Sequence, residues 1–174
     1  MRRIASITLI GIVGIVLATT PAGAISGGEE DGRLHPNVGA LLGIPPGEDS
    51  LHLACSGFLI SPTVFLTAGH CTSSFEQSGD PVFVTFDPVF DPASARVLAV
   101  SALITHPDFN PNSLANDLGV VILAKAVKKV TPVQLPTAAL LDAMKSSGTL
   151  PTELTVVSYG TRGRLLGASV HVHR

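Results

Sequence analysis

The chain has 174 residues, of which 45% are hydrophobic and 14% are charged, and its formal net charge is -2. This composition is too apolar for a disordered chain, and the length fits one domain at the loose prior of about 100–200 residues per domain. Like charges do not run together over five residues anywhere. The sequence therefore predicts neither a nucleic-acid-binding surface nor a polybasic membrane patch.

The first 24 residues form a segment of their own. Arg2 and Arg3 give a positive start, an apolar stretch follows over Ile4–Ala18, and the small residues Ala22–Ala24 come last. This order is typical of a secretory signal peptide. A membrane anchor is the alternative, but the stretch is shorter than the roughly 20 apolar residues that cross a bilayer. We expect residues 1–24 to be removed, which leaves Ile25 as the first residue of a secreted, extracellular protein.

The chain has two cysteines, Cys55 and Cys71. In the oxidising compartment that export implies, two cysteines allow one disulfide pairing. The two cysteines are 16 residues apart, and a disulfide that closes this loop would constrain the unfolded chain by about 3 kcal/mol. Two unpaired buried thiols are the alternative, and we expect the disulfide.

After residue 24, short apolar runs alternate with turn residues such as Pro45-Pro46-Gly47 and His106-Pro107. Many short strands at this spacing predict an all-β sandwich or barrel. One stretch differs, because Thr137 is placed to cap a short helix over Ala138–Lys145 that ends at Gly148. No pattern predicts a structure for residues 161–174. The predicted strands are Val38–Leu42, Ser56–Ile60, Thr63–Thr67, Val82–Phe86, Arg96–Leu103, Leu118–Leu123 and Thr155–Tyr159.

The strongest local motif is Phe65–Cys71, in which an apolar strand runs into small residues and then a single histidine, His70. A general base needs an imidazole on a rigid support. Downstream, Asp117 stands at the start of the apolar run Leu118–Leu123. A carboxylate there could accept the second N–H of the imidazole and fix its tautomer. Either residue alone is more often structural, and only the combination indicates catalysis.

Three segments in this order resemble signatures of the trypsin/chymotrypsin family of serine proteases: a barrel strand, the loop of the catalytic histidine and the strand of the catalytic aspartate. The style of the sequence, with one disulfide and proline-rich loops, is similar to secreted bacterial members. Weaker similarities cover the mature N-terminus, the connection between barrels and the entry to the second barrel. These segments are, in turn, Cys55–Ser61, Phe65–Cys71, Asp117–Leu123, Ile25–Gly28, Val133–Pro136 and Val157–Gly160.

The resemblance implies an all-β, chymotrypsin-like double barrel whose first barrel is present and whose second barrel is truncated. It divides the chain into a signal peptide (1–24), a first barrel (25–136) and a connection with an incomplete second barrel (137–174). It makes His70 the general base, Asp117 its orienting partner, and Cys55–Cys71 the disulfide of the histidine loop. Gly69 stands where the family usually has alanine.

The nucleophile of the family lies in a Gly-Asp-Ser-Gly-Gly-Pro segment, which does not occur among these 174 residues. Ser169, which is the only serine after Gly160, lacks the flanking glycines. A His–Asp pair without an activated hydroxyl has no acyl-enzyme route. We therefore expect a trypsin-like serine endopeptidase that is inactive as this chain alone. The alternative is a secreted, non-catalytic protease homologue that acts as a binding module.

No metal or other cofactor is expected. His171 and His173 supply too few ligands for a structural zinc site, and Asp87, Asp91 and Glu76 lack the ligand spacing of a calcium loop. The expected partner is a protein or peptide substrate, with no nucleic acid and, after removal of the signal, no membrane. We expect a monomer.

Overall fold

The computed structural model describes residues 30–151 and 155–160. Ile25, Ser169, His171, His173 and the predicted signal peptide therefore lie outside the described residues. Within the described part no helix is both long and apolar enough to span a membrane. The elements, in chain order, are β1 (Val38–Gly43), β2 (His52–Ser61), β3 (Val64–Thr67), α1 (Gly69–Ser78), β4 (Val82–Thr85), β5 (Leu98–Thr105), β6 (Gly119–Leu123) and α2 (Leu140–Ser147).

The six strands close into an antiparallel barrel in the order β1-β2-β3-β6-β5-β4, with β4 paired back to β1. Each strand therefore has two neighbours, and the barrel exposes no unpaired strand edge, which is the feature that invites aggregation. Strands β3 and β6 pair so that Thr67, at the end of β3, lies opposite Gly119, at the start of β6. This pairing brings the segment after β3, which contains His70, close to the segment before β6, which contains Asp117. The prediction of an all-β fold with a barrel is confirmed.

Phe65 lies at the centre of the barrel, fully buried, and its ring meets that of Phe86 edge to face at 5.9 Å between centroids. Two glycines make room for the Phe65 ring, because a Cβ at Gly39 or Gly57 would lie within 2.9 Å of it. The buried cluster that contains Phe65 also includes Leu41, Leu59, Cys71, Val84, Val121 and Leu123.

Six predicted strands correspond to β1–β6 with shifted bounds, and two other predicted elements differ more from the structure. Helix α2 begins at Leu140 rather than Ala138, because Ala139 before it adopts a left-handed backbone with φ 60°. Thr155–Tyr159, predicted as a strand, forms no ladder with the barrel. Its backbone bonds to a side chain instead, since Ser56 Oγ accepts the Tyr159 N–H at 2.8 Å.

Tyr159 fastens this last described segment to the barrel. Its side chain is buried with Val38, Ala40 and Leu42 of β1. Its hydroxyl donates to the backbone carbonyl of Asp87 at 2.5 Å, and its own carbonyl accepts from Ser56 Oγ at 3.3 Å. Residues 155–160 are thus held against the side of β1 and β2.

Candidate active site

The segment that carries His70 consists of strand β3 and helix α1, which are separated by Ala68 alone. Strand β3 ends at Thr67, Ala68 has an extended backbone (φ -80°, ψ 148°), and α1 begins at Gly69. Ala68 has no side-chain oxygen with which to cap the helix, so the first N–H groups of α1 need an acceptor from elsewhere. His70 is in this first turn.

Asp117 supplies that acceptor and binds the histidine ring as well. Its Oδ1 accepts the backbone N–H of His70 at 2.7 Å, and its Oδ2 lies 2.9 Å from His70 Nδ1. The carboxylate therefore caps α1 from a position 47 residues along the chain. A negative charge there also complements the positive end of the helix dipole, an effect of about 0.3–1 kcal/mol.

The surroundings keep Asp117 ionised. Burial raises the pKa of the carboxyl, but hydrogen bonds from the His70 ring and backbone, the charge of His70 and the Gly69 N–H lower it more. The net pKa lies below the ordinary value of 3.8. An ionised carboxylate only accepts hydrogen bonds, so the ring nitrogen that faces it carries a proton. In the neutral imidazole, Nε2 is then left with a lone pair that can take a proton.

A tight turn aims Asp117 at the helix. Asn116 has a left-handed backbone with φ 54°, and its side-chain amide donates to the Asp108 carbonyl at 3.0 Å. The Leu118 N–H donates to the Asn116 carbonyl at 2.7 Å across Asp117. The His106 N–H donates to the Leu118 carbonyl at 2.9 Å. The carboxylate is thus held at the entry to β6 by its own loop.

Gly69 allows this loop to lie close to α1. A Cβ at this position would lie 2.9 Å from the Leu118 carbonyl oxygen and 3.0 Å from its backbone nitrogen. Both atoms are backbone and cannot swing away. The glycine found where the trypsin family usually has alanine therefore fits a close approach between the histidine and aspartate segments.

The predicted disulfide between Cys55 and Cys71 is present, with 6.4 Å between the two Cα atoms. It ties the first turn of α1 to β2. Both sulfurs and a His70 ring nitrogen lie within 4.8 Å of one another, which is the spacing of a metal cluster. Because the two sulfurs are bonded to each other, this group does not offer the thiolates that a metal would need.

The His70 side chain is 56% exposed, while that of Asp117 is 24% exposed. A cavity of about 330 Å³ opens on the same side of the barrel. Solvent or a reacting group can therefore reach the imidazole, while its carboxylate partner is partly screened. The lining of the cavity is mainly apolar and comes from Ser56, Gly57, Phe58, Leu66, Thr67, Ala68, Asp117, Leu118 and Val157.

Helix α1 and its hydroxyl contacts are the parts of the site that the sequence did not predict. Thr72 is fully buried, and its hydroxyl meets Thr105 and the Gly69 carbonyl. The sequence signal that could have indicated the helix is Gly79. In the structure it ends α1 with φ 72°, and its N–H donates to the Phe75 carbonyl. A glycine just past the last turn is the usual helix end.

The structure also holds a second His–Asp pair. Asp31, whose side chain is fully buried, accepts the His35 N–H at 3.0 Å and contacts His35 Nδ1. His52 lies 2.6 Å from a Glu48 oxygen. The Nδ1 of His106 accepts the backbone N–H of Asp108 at 3.1 Å. Sequence reasoning assigned no partner to these three histidines.

Comparison with known proteins relates the chain to one family. The family model described as Trypsin matches residues 36–172. Duodenase-1 of Bos taurus is 31% identical over 134 residues, which is 75% of this chain and 51% of the relative. Cathepsin G of Mus musculus is 33% identical over 130 residues, which is 72% of this chain and 47% of the relative. The chain thus spans about half the length of these relatives.

Among solved structures, that of the Vibrio cholerae VesB protease superposes with a TM-score of 0.54 at 22% identity. The match covers 68% of this chain and 36% of that one. This likeness concerns the fold. With the family model covering residues 36–172, the sequence match extends over most of the chain. The chain belongs to the trypsin family of chymotrypsin-fold serine proteases.

Proposed function

We propose that this chain carries the general base, His70, and its orienting partner, Asp117, of a trypsin-like serine endopeptidase that cleaves protein or peptide substrates. The observation that carries the proposal is that Asp117, which lies 47 residues further along the chain, accepts hydrogen bonds from both the backbone and the ring of His70. In acyl transfer His70 Nε2 would take the proton of the attacking hydroxyl and return it to the leaving amine. Asp117 would hold the tautomer and stabilise the imidazolium.

The 174 residues alone are proposed not to hydrolyse peptides, because they contain no Gly-Asp-Ser-Gly-Gly-Pro segment. That segment supplies both the nucleophile and the oxyanion-hole donors of the family. A fluorophosphonate, which labels an activated serine, should leave the purified chain unlabelled. Labelling that disappears on His70→Ala would overturn this part of the proposal.

The catalytic part is tested by reading the DNA beyond codon 174 in all three forward frames. If a frame encodes the missing segment, the extended protein should hydrolyse peptides, and His70→Ala should abolish that activity. Asp117→Asn should lower kcat by about 10⁴-fold, as loss of the triad carboxylate does elsewhere. His35→Ala is the matched control, since its carboxylate contacts follow the same pattern, and it should keep kcat within a few-fold.

If no frame encodes a nucleophile, the endopeptidase proposal fails for this gene. The second candidate is then a non-catalytic protease homologue that binds a protein partner. The observation in its favour is that several large apolar side chains are about half exposed, among them Leu118, Leu135 and Val156. If the chain binds a protein partner equally well after these three residues are changed to serine, their side chains do not form the binding surface.

We further propose residues 1–24 as a signal peptide, 25–136 as the first barrel and 137–174 as the connection with the start of a second. Secretion is supported by the Cys55–Cys71 disulfide, which persists in oxidising compartments. N-terminal sequencing of the exported protein should read Ile25 first. We propose a secreted bacterial type, acting without a cofactor and as a monomer.

A further inference from the structure

The peptide unit between Gly69 and His70 is hydrogen-bonded at both ends. Its N–H donates to Asp117 Oδ1 at 2.7 Å, and its carbonyl oxygen accepts from Thr72 Oγ1 at 3.1 Å. The two groups belong to one rigid plane. Asp117 and Thr72 therefore hold the plane that carries His70 from opposite ends.

Thr72 itself is locked in place. Its side chain is fully buried between β5 and β6, and its hydroxyl lies 2.7 Å from Thr105 Oγ1. On β6, Gly119 gives it room, because a Cβ there would lie 2.5 Å from Thr72 Oγ1. The position of this oxygen atom is therefore fixed by its surroundings, unlike that of a hydroxyl at the surface.

The hydroxyl chain continues to a charged group. Thr105 Oγ1 donates to Glu76 Oε2 at 2.7 Å, and Glu76 lies on α1, one turn after Thr72. The chain has three contacts, but the two hydroxyls have only one proton each. With an ionised Glu76, Thr105 gives its proton to the carboxylate. The proton of Thr72 is then divided between Thr105 Oγ1 and the Gly69 carbonyl.

We propose that Thr72 is a positioning residue for His70, and that Glu76 sets how strongly Thr72 binds the Gly69 carbonyl. When the group at position 76 can donate, Thr105 donates to Thr72, and Thr72 gives its proton entirely to Gly69. Because hydrogen bonds in a chain polarise one another, a stronger bond at the Gly69 carbonyl strengthens the His70 N–H bond to Asp117. The proposal depends on the proposed function in one respect only, which is that the position of His70 matters for catalysis.

The test is to measure, by NMR, the chemical shift of the His70 backbone amide proton in the isotopically labelled full chain. This measurement does not depend on a catalytic nucleophile. Thr72→Val keeps the shape of the side chain and removes the hydroxyl, so the resonance should move upfield. Thr72→Ser keeps the hydroxyl and should retain the wild-type position. Glu76→Gln supplies an amide donor and should move the resonance downfield, opposite to Thr72→Val.

A purely structural role would lower stability without moving this resonance. An unmoved His70 amide in a folded Thr72→Val protein would therefore overturn the proposal, as would a Thr72→Ser protein that behaves like Thr72→Val. If Thr72→Val does not fold, Glu76→Gln decides, since an absent or upfield shift contradicts the proton count. An extended protein that fails to hydrolyse peptides would refute the proposed function but leave these shifts unchanged.

Discussion

Asp117 binds His70 through both carboxylate oxygens, one on the backbone N–H and one on the ring. Asp31 holds His35 by the same two groups, but over four residues of one turn. The two pairs differ in what they join. Asp31 fixes a local turn, whereas Asp117 joins the loop before β6 to the first turn of α1. The bond pattern alone therefore does not identify a general base, and the difference in topology argues for His70.

The first prediction concerns pH. The pKa of Asp117 is lowered in the folded protein, so its contribution to stability is complete above the ordinary value of 3.8 and is lost as the pH falls through the folded pKa. Asp117→Asn removes this contribution. In urea unfolding between pH 7 and pH 2.5, the difference in unfolding free energy between the two proteins should shrink below about pH 4.

Asp142→Asn, on the exposed face of α2, is the matched control for this experiment. It removes one exposed carboxylate outside the barrel and so tests whether the loss of any carboxylate produces the pH dependence expected for Asp117→Asn. A free-energy difference between wild type and Asp117→Asn that stays constant down to pH 2.5 would show that Asp117 has an ordinary pKa.

The His–Asp pair could be predicted because its two halves sit at the ends of apolar strands that the sequence marks clearly. Helix α1 could not, because its local signals are weak. It contains Gly69 and several β-branched or hydroxyl residues, and Ala68 is a poor cap. What holds it is tertiary: the Asp117 cap and the Cys55–Cys71 disulfide. The residues of α1 alone therefore do not predict the helix, because residues distant in the sequence stabilise it.

The predicted strand at Thr155–Tyr159 shows the opposite case. Its apolar pattern is that of a strand, but the closed barrel leaves it no free edge to pair with. Ser56 then takes the place of a neighbouring strand by donating to and accepting from the Tyr159 backbone. The prediction of a strand was therefore wrong, although Tyr159 is buried against β1.

The second prediction concerns the disulfide. Replacing Cys55 and Cys71 together by alanine should lower the free energy of unfolding by about 3 kcal/mol, because the unfolded chain gains the freedom that the cross-link removes. Urea unfolding followed by circular dichroism measures this. Wild type in excess dithiothreitol should reach the same stability as the variant. A loss below 1 kcal/mol in both would mean that packing of α1, rather than the cross-link, holds the first turn.

The third prediction concerns Gly43 on β1. A Cβ at this position would lie 2.5 Å from Phe75 Cε1, and its three nearest contacts are all atoms of that ring. Gly43→Ala should therefore cost about 1–3 kcal/mol of unfolding free energy by overpacking. Because the obstacle is one side chain, adding Phe75→Leu should recover part of the loss, as a double-mutant cycle would measure.

Gly57→Ala is the contrast within the same barrel. Its Cβ would lie 2.3 Å from the Leu66 carbonyl oxygen, so Phe65→Leu should not rescue it. If Phe75→Leu fails to rescue Gly43→Ala, or Phe65→Leu rescues Gly57→Ala, this account of the two glycines is wrong.

The fourth prediction concerns the clamp between Ser56 and Tyr159. Tyr159 is the chain's one tyrosine and there is no tryptophan, so intrinsic fluorescence reports on this residue. Ser56→Ala removes the hydroxyl that accepts from the Tyr159 N–H and donates to the Tyr159 carbonyl, which should weaken docking by about 1–3 kcal/mol. In urea the fluorescence transition should then precede the circular-dichroism transition of the barrel, because a weakly docked segment opens before the core.

Ser101→Ala tests whether any lost serine hydroxyl has this effect, since Ser101 Oγ also donates to a barrel carbonyl, that of Ile122, at 3.1 Å. Its two transitions should stay coincident, as in wild type. Coincident transitions in Ser56→Ala would show that residues 155–160 unfold with the barrel whether or not Ser56 holds them. The buried Tyr159 side chain, rather than the serine, would then be what docks the segment.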